Sequence, residues 1–147
     1  MKDSFTNLVA AACTARLNSY SPYSEFRVGA ALLAASGEIY TGTNVENASF
    51  GLSICAERAA VFKAVAAGER EFTAIAVCAD GGRPTPPCGA CRQVLLEFDP
   101  DMTVITAGEN GSAGDVRRRT LRELMPDAFL TFVDDGPAAA DTKDGRS

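Results

Sequence analysis

The chain has 147 residues, 46% of them apolar, and a formal net charge of −5, the composition of one ordinary globular domain. No leading basic-then-apolar stretch resembles a signal peptide, and no apolar run approaches the ~18 residues of a membrane span. Five cysteines without secretory features imply reduced thiols in a cytoplasmic protein, and the absence of histidine excludes every catalytic design that needs imidazole.

Phe5, Leu8, Val9, Ala12 and Leu17 recur near helical spacing, predicting an amphipathic helix over 4–18 behind a Ser4 or Thr6 cap, with Cys13 as core filler. A polar, aromatic loop follows, Tyr20-Ser21-Pro22-Tyr23-Ser24. The run from Phe26 to Leu33 predicts a strand, Ser36-Gly37 a turn, and Ile39 to Thr41 the start of a second strand, together a hairpin. Residues 42–51 are too polar for a core element. A helix is expected from about Cys55 to Ala67, stopped by Gly68. Phe72 to Ala79 is a nearly continuous apolar strand of the kind buried on both faces. A Gly/Pro loop then delivers Cys88 to the start of a helix that ends before Pro100.

Met102 to Ala107 predicts another strand, 108–114 a loop, Thr120 to Met125 a short helix, and 129–133 a last short strand or ordered tail. From Asp134 the composition offers nothing to bury, so 134–147 is expected to be a disordered tail behind a single domain over 1–133. Helix, hairpin, helix, strand, helix, strand, helix makes an α/β layered domain with helices on both sheet faces. The single basic cluster, Arg117-Arg118-Arg119 with Arg122, is narrower than a nucleic-acid groove requires. The expected partner is a small molecule, with no nucleic acid and no membrane.

Cys55-Ala56-Glu57-Arg58 and Pro87-Cys88-Gly89-Ala90-Cys91 carry the chemistry. Thiolates at helix starts are favoured by the partial positive charge and free N–H groups there. Three thiolates on Zn²⁺ leave one tetrahedral position for water, the arrangement of a catalytic site, and a carboxylate beside it can carry protons. This is the pattern of zinc deaminases, in which a Pro-Cys-x-x-Cys pair and one further ligand accompany a non-ligand Glu. Three thiolates on a dication sum to −1, an excess that Arg58 is placed to offset by hydrogen-bonding ligand sulfur, with Arg92 and Gln93 in similar supporting positions. A redox Cys-x-x-Cys would leave Cys55 and Glu57 unexplained. A closed four-cysteine zinc site would need Cys13 or Cys78, both inside apolar elements.

The match extends beyond the metal. Y-S-P-Y-S-E-F-R-V-G-A-A-L (20–32), G-T-N-V-E-N-A-S-F-G-L (42–52), C-A-E-R-A-A (55–60) and P-C-G-A-C-R-Q-V-L (87–95) strongly resemble the short, homotetrameric, zinc-dependent type of cytidine deaminase. The resemblance covers most of 4–132. It implies a three-layer α/β/α domain with a central mixed sheet of about five strands. It also implies hydrolytic deamination of cytidine and deoxycytidine in pyrimidine salvage, one zinc per chain, and active sites shared between subunits. Residue by residue, Cys55, Cys88 and Cys91 resemble the zinc ligands and Glu57 the proton carrier. Asn44 and Glu46 resemble the residues that hold the ribose hydroxyls, and Phe26 the aromatic packed on the pyrimidine. Ala56 matches a position whose backbone N–H meets the base. Phe50 and Phe129 resemble aromatics that complete the pocket, partly from neighbouring chains. Three positions depart from the family pattern: Thr43 stands where Cys is frequent, Phe50 where Tyr is, and Pro86 where Ser is. The rival substrate is a modified cytosine nucleoside such as blasticidin S, and the non-enzymatic rival is a zinc-stabilised binding module.

Overall fold

A computed structural model describes residues 4–111 and 115–130. Its elements in chain order are α1 (Ser4–Arg16), β1 (Val28–Ala34), β2 (Ile39–Thr43), a 3-10 turn (Phe50–Leu52), α2 (Ala56–Ala66), β3 (Phe72–Ala79), α3 (Gly89–Leu96), β4 (Thr103–Ala107), β5 (Val116–Thr120) and α4 (Leu121–Leu124). The five strands form one mixed sheet in the order β2-β1-β3-β4-β5. Only β3 and β4 pair in parallel, joined by α3 as the crossover that parallel strands require.

The sheet is covered on both faces. Leu8, Val9 and Ala12 of α1 bury against Ala31, Ala74, Ala76 and Ile105 on one side. Ala56, Ala60, Val61 and Ala64 of α2 bury against Ala30, Leu32, Ile75 and Val104 on the other, with Leu95 and Leu96 of α3. Alternate residues of β1 and β3 therefore point into different cores, which is why these strands are apolar at nearly every position. Small residues let the helices sit close. At Gly42 of β2 an added Cβ would lie 2.4 Å from the carbonyl oxygen of Ala56, so only hydrogen fits beneath α2.

Topology decides where the chemistry can assemble. Both β2 and β3 run antiparallel to β1 and so share a direction. The chain leaves both at the same end of the sheet, and α2 and α3 both begin there. The segment that enters β1 lies at that end too.

The helices and strands anticipated as far as residue 125 are present, but β5 is a correction: the arginine cluster lies on an edge strand just before the short helix α4. β5 shows no apolar alternation because four of its five residues are exposed. The Arg118 guanidinium lies 5.1 Å over the ring of Phe5. Phe129 and Leu130 are not in a strand, and the remainder of the expected 129–133 strand and the 134–147 tail lie outside the described residues. A second correction concerns the thiols. α1 lies across β3, bringing Cys13 opposite Cys78 with Cα atoms 5.1 Å apart, and the two form a disulfide. Cys55, Cys88 and Cys91 are free.

Candidate metal centre

Cys55 and Cys88 occupy equivalent places, each the extended residue that caps a helix, α2 and α3 respectively. Neither sulfur makes a capping hydrogen bond to a backbone N–H of its helix, so both are free for other partners. Cys91 lies in the first turn of α3 and is fully buried. The Cys55 and Cys88 sulfurs are 3.7 Å apart, those of Cys88 and Cys91 3.5 Å, and all three lie within 4.8 Å of one another.

These distances test the fit of an ion. Sulfurs bound tetrahedrally to zinc at about 2.3 Å stand about 3.8 Å from one another. The trio is close to that spacing, and its donors are the soft thiolates zinc prefers. Among the described residues this is the one group of three or more candidate ligands with that closeness. Cys13 and Cys78 are joined to each other, so neither serves as a fourth ligand.

The electrostatics around the trio are pronounced. Cys91 and the guanidinium of Arg58 hydrogen-bond the Cys55 sulfur, lowering that thiol to about 5 despite partial burial. The Arg58 Nη2 donates to it at 3.4 Å, as the charge argument anticipated. The Arg58 Nε is buried and without a hydrogen-bond partner among the described residues. Cys91 is pushed up by its hydrogen bond to Cys55 and by burial. Glu57, in the first turn of α2, is only 5% exposed. Burial pushes its carboxyl up to about 7, its own backbone N–H opposing and the Cys55 charge adding to the rise.

Ala56 is buried as the first residue of α2, where backbone N–H groups have no intrahelical partner. Phe26 is 39% exposed just before β1. Asn44 and Glu46 follow β2, and both grip the loop that carries Phe26. The Asn44 Nδ2 donates to the Phe26 carbonyl at 2.8 Å, and its Oδ1 accepts from the Val28 N–H at 2.9 Å and from the Ser19 hydroxyl. The Glu46 Oε1 accepts from the Tyr23 and Ser24 N–H groups, and Oε2 from the Ser24 hydroxyl at 2.5 Å. The Ser24 hydroxyl holds the Glu46 carboxyl below its ordinary value, against some desolvation. Phe50 is 74% exposed, with the Tyr23 ring edge-on to it at 5.7 Å, and Phe129 is 56% exposed.

Gln93 does not reach a sulfur. Its amide donates to the Phe129 carbonyl at 3.0 Å. Arg92 likewise turns away, bonding the carbonyls of Pro87 and Leu124 at 2.8 Å each and so pinning the loop into Cys88. Sequence reasoning missed Ser24 and Asp80, whose carboxylate holds Arg27 beside Phe26. The available signals were an acidic residue directly after a buried strand and a serine within a polar loop.

The model of the cytidine and deoxycytidylate deaminase zinc-binding region matches residues 3–107, which include all three free cysteines and Glu57. The chain belongs to this deaminase family. Its zinc-binding region accounts for the thiol trio, and zinc is the cofactor. Among similar deaminases, the cytidine deaminase of Halalkalibacterium halodurans is 52% identical over 122 residues, covering 83% of this chain and 91% of its own length. That of Mycobacterium tuberculosis is 45% identical over 119 residues, covering 80% and 84%. The crystal structure of cytidine deaminase from Burkholderia pseudomallei superposes with a TM-score of 0.78 at 49% identity, covering 84% of this chain and 97% of that one. The deaminase fold expected from the sequence, a five-stranded mixed sheet between helices, is the one found.

Proposed function

We propose that this chain hydrolyses the exocyclic amino group of cytidine and deoxycytidine, releasing ammonia and leaving uridine or deoxyuridine, as a step of pyrimidine salvage in the cytoplasm. The observation that carries the reading is Glu57: a buried carboxylate in the first turn of α2, against Cys91 and beside Cys55. Cys55, Cys88 and Cys91 hold the zinc, which when bound lowers the pKa of water toward neutrality.

The protein's own groups do the rest. Glu57, buried in the first turn of α2, takes a proton from water and delivers it to ring N3, then takes the proton of the new C4 hydroxyl and passes it to the departing amino group. Water supplies the oxygen at C4, and the C4–N bond breaks. Arg58 neutralises part of the excess charge on the sulfurs. The backbone N–H of Ala56 meets the base, and Phe26 packs on its face. Asn44 retains one amide N–H, and the Glu46 Oε2 further lone pairs, so the two side chains can grip ribose hydroxyls while holding their own loop.

Phe50 and Phe129 complete the pocket in a homotetramer whose sites are shared. Their exposure, with that of Leu52 and Tyr23, supports a neighbour's surface over this end of the sheet. The test is Glu57→Gln: zinc content is retained and turnover of a cytosine nucleoside panel is lost. Comparable turnover by that variant removes Glu57 from the role.

A further inference from the structure

Strand β1 pairs with β3 as far as Val28 opposite Ala79. One residue further, the ladder would exchange main-chain bonds between Arg27 and Asp80. Half of that exchange is present, the Asp80 N–H donating to the Arg27 carbonyl at 2.9 Å. The other half is replaced. The Arg27 N–H donates at 2.8 Å to the Asp80 carboxylate oxygen Oδ2 instead of its carbonyl. The same oxygen accepts from the Arg27 Nε at 3.2 Å, and Oδ1 pairs with the Arg16 Nη1. Arg16 is 8% exposed, so Asp80 also neutralises a buried cation at the end of α1.

This carboxylate completes a chain of clamps. Between Tyr23 and Val28 every backbone N–H is engaged. Tyr23 and Ser24 donate to Glu46, Glu25 to the Ser21 carbonyl, Phe26 to the Ser24 hydroxyl, Arg27 to Asp80 and Val28 to Asn44. Glu25 is held at a φ of 55°, the left-handed region its side chain disfavours, so its neighbours over-determine its conformation. The only side chain in the stretch expected to touch a base is Phe26. A half-exposed ring offers a fixed face only if its backbone cannot sway, and Asp80 fixes the peptide immediately after it.

We propose that Asp80 is a positioning residue for substrate: through the Arg27 N–H it sets the plane of the Phe26 ring against the pyrimidine. The inference rests on the reading above that Phe26 packs on the base. An aspartate is required because one carboxylate satisfies two guanidinium donors and one backbone N–H. An asparagine has one acceptor oxygen, and its NH₂ would face the remaining donors.

The test is steady-state kinetics of Asp80→Asn on cytidine, with zinc measured on the same sample. Because ring packing acts on ground and transition states alike, KM rises roughly tenfold while kcat stays within about twofold and zinc content is unchanged. In a Phe26→Ala background the same substitution shifts KM less than about twofold, since Asp80 acts through that ring. Unchanged KM, an equal effect with Phe26 absent, or lost kcat together with lost zinc overturns the proposal. If Asp80→Asn does not fold, the cycle is run with Asp80→Glu, which keeps the charge that faces Arg16 but carries the carboxylate past the Arg27 N–H and raises KM about threefold; KM within about 1.5-fold of the parent then overturns it. A parent that deaminates no cytosine nucleoside sinks the functional reading instead, a different outcome from any of these.

Discussion

Gly42→Ala tests whether the position of α2 sets the activity. Gly42 lies on β2 directly beneath the first turn of α2. A Cβ there would stand 2.4 Å from the Ala56 carbonyl oxygen, 2.5 Å from the Ala60 nitrogen and 3.1 Å from the Ala59 carbonyl carbon. Ordinary contact begins near ~3.4 Å, so the helix must retreat by about 1 Å or the strand must bend. All three atoms are backbone and cannot swing aside. Overpacking of this kind costs about 1–3 kcal/mol. For a chain of this size that lowers Tm by roughly 3–10 °C.

The effect on turnover should exceed the effect on folding. Ala56, the residue struck, lies between Cys55 and Glu57, so a displaced carbonyl carries a thiol and the carboxylate with it. A shift of about 1 Å in a positioned group costs on the order of 10²-fold in rate. The assay compares kcat/KM at a temperature where both proteins are folded, with circular dichroism melts alongside. Gly82→Ala is the control, since a Cβ there meets nothing within 4 Å. Parental kcat/KM and Tm in Gly42→Ala would refute the reasoning, because they would mean that α2 can yield without moving the site.

Other outcomes follow from the same geometry. Cys88→Ala breaks the trio and loses zinc and thermal stability together; zinc retained at the parental ratio, by atomic absorption, would exclude Cys88 as a ligand. Arg58→Ala keeps the metal but lowers turnover roughly tenfold to hundredfold by removing the donor on the Cys55 sulfur, and unaltered kinetics would make Arg58 a bystander. Denatured, metal-stripped protein prepared without reductant yields three titratable thiols, because Cys13 and Cys78 are joined, whereas five would show that pair reduced.

What the sequence disclosed and withheld follows physical lines. β3 is bounded correctly because both its faces are buried, and α2 because Gly68, at a φ of 98°, ends it. The ligand trio was legible because chemistry that needs thiolates at helix starts leaves cysteines in recognisable company. β5 was hidden because an exposed edge strand needs no apolar alternation, and three arginines suggest a surface. The Cys13–Cys78 pair was hidden because its two halves are 65 residues apart and meet only once α1 lies across β3. Asn44 and Glu46 stand out in the sequence only as polar side chains in a polar loop; their hold on the Phe26 loop depends on where that loop passes, and composition does not record it.

The antiparallel placement of β1 between β2 and β3 ties these features together. If β2 and β3 ran in opposite directions, α2 and α3 would start at opposite ends of the sheet and their capping cysteines could not meet. Because they share a direction, two helix N-termini with their unpaired N–H groups face one volume, and the thiolates there gain from both. That shared positive field, with Arg58, makes three adjacent sulfurs tolerable, and the same convergence buries Glu57 beside them. The segment entering β1 must reach this end as well, and Asn44, Glu46 and Asp80 clamp it there. The thiol trio, the buried carboxylate and the clamped segment that carries Phe26 thus derive from one topological choice.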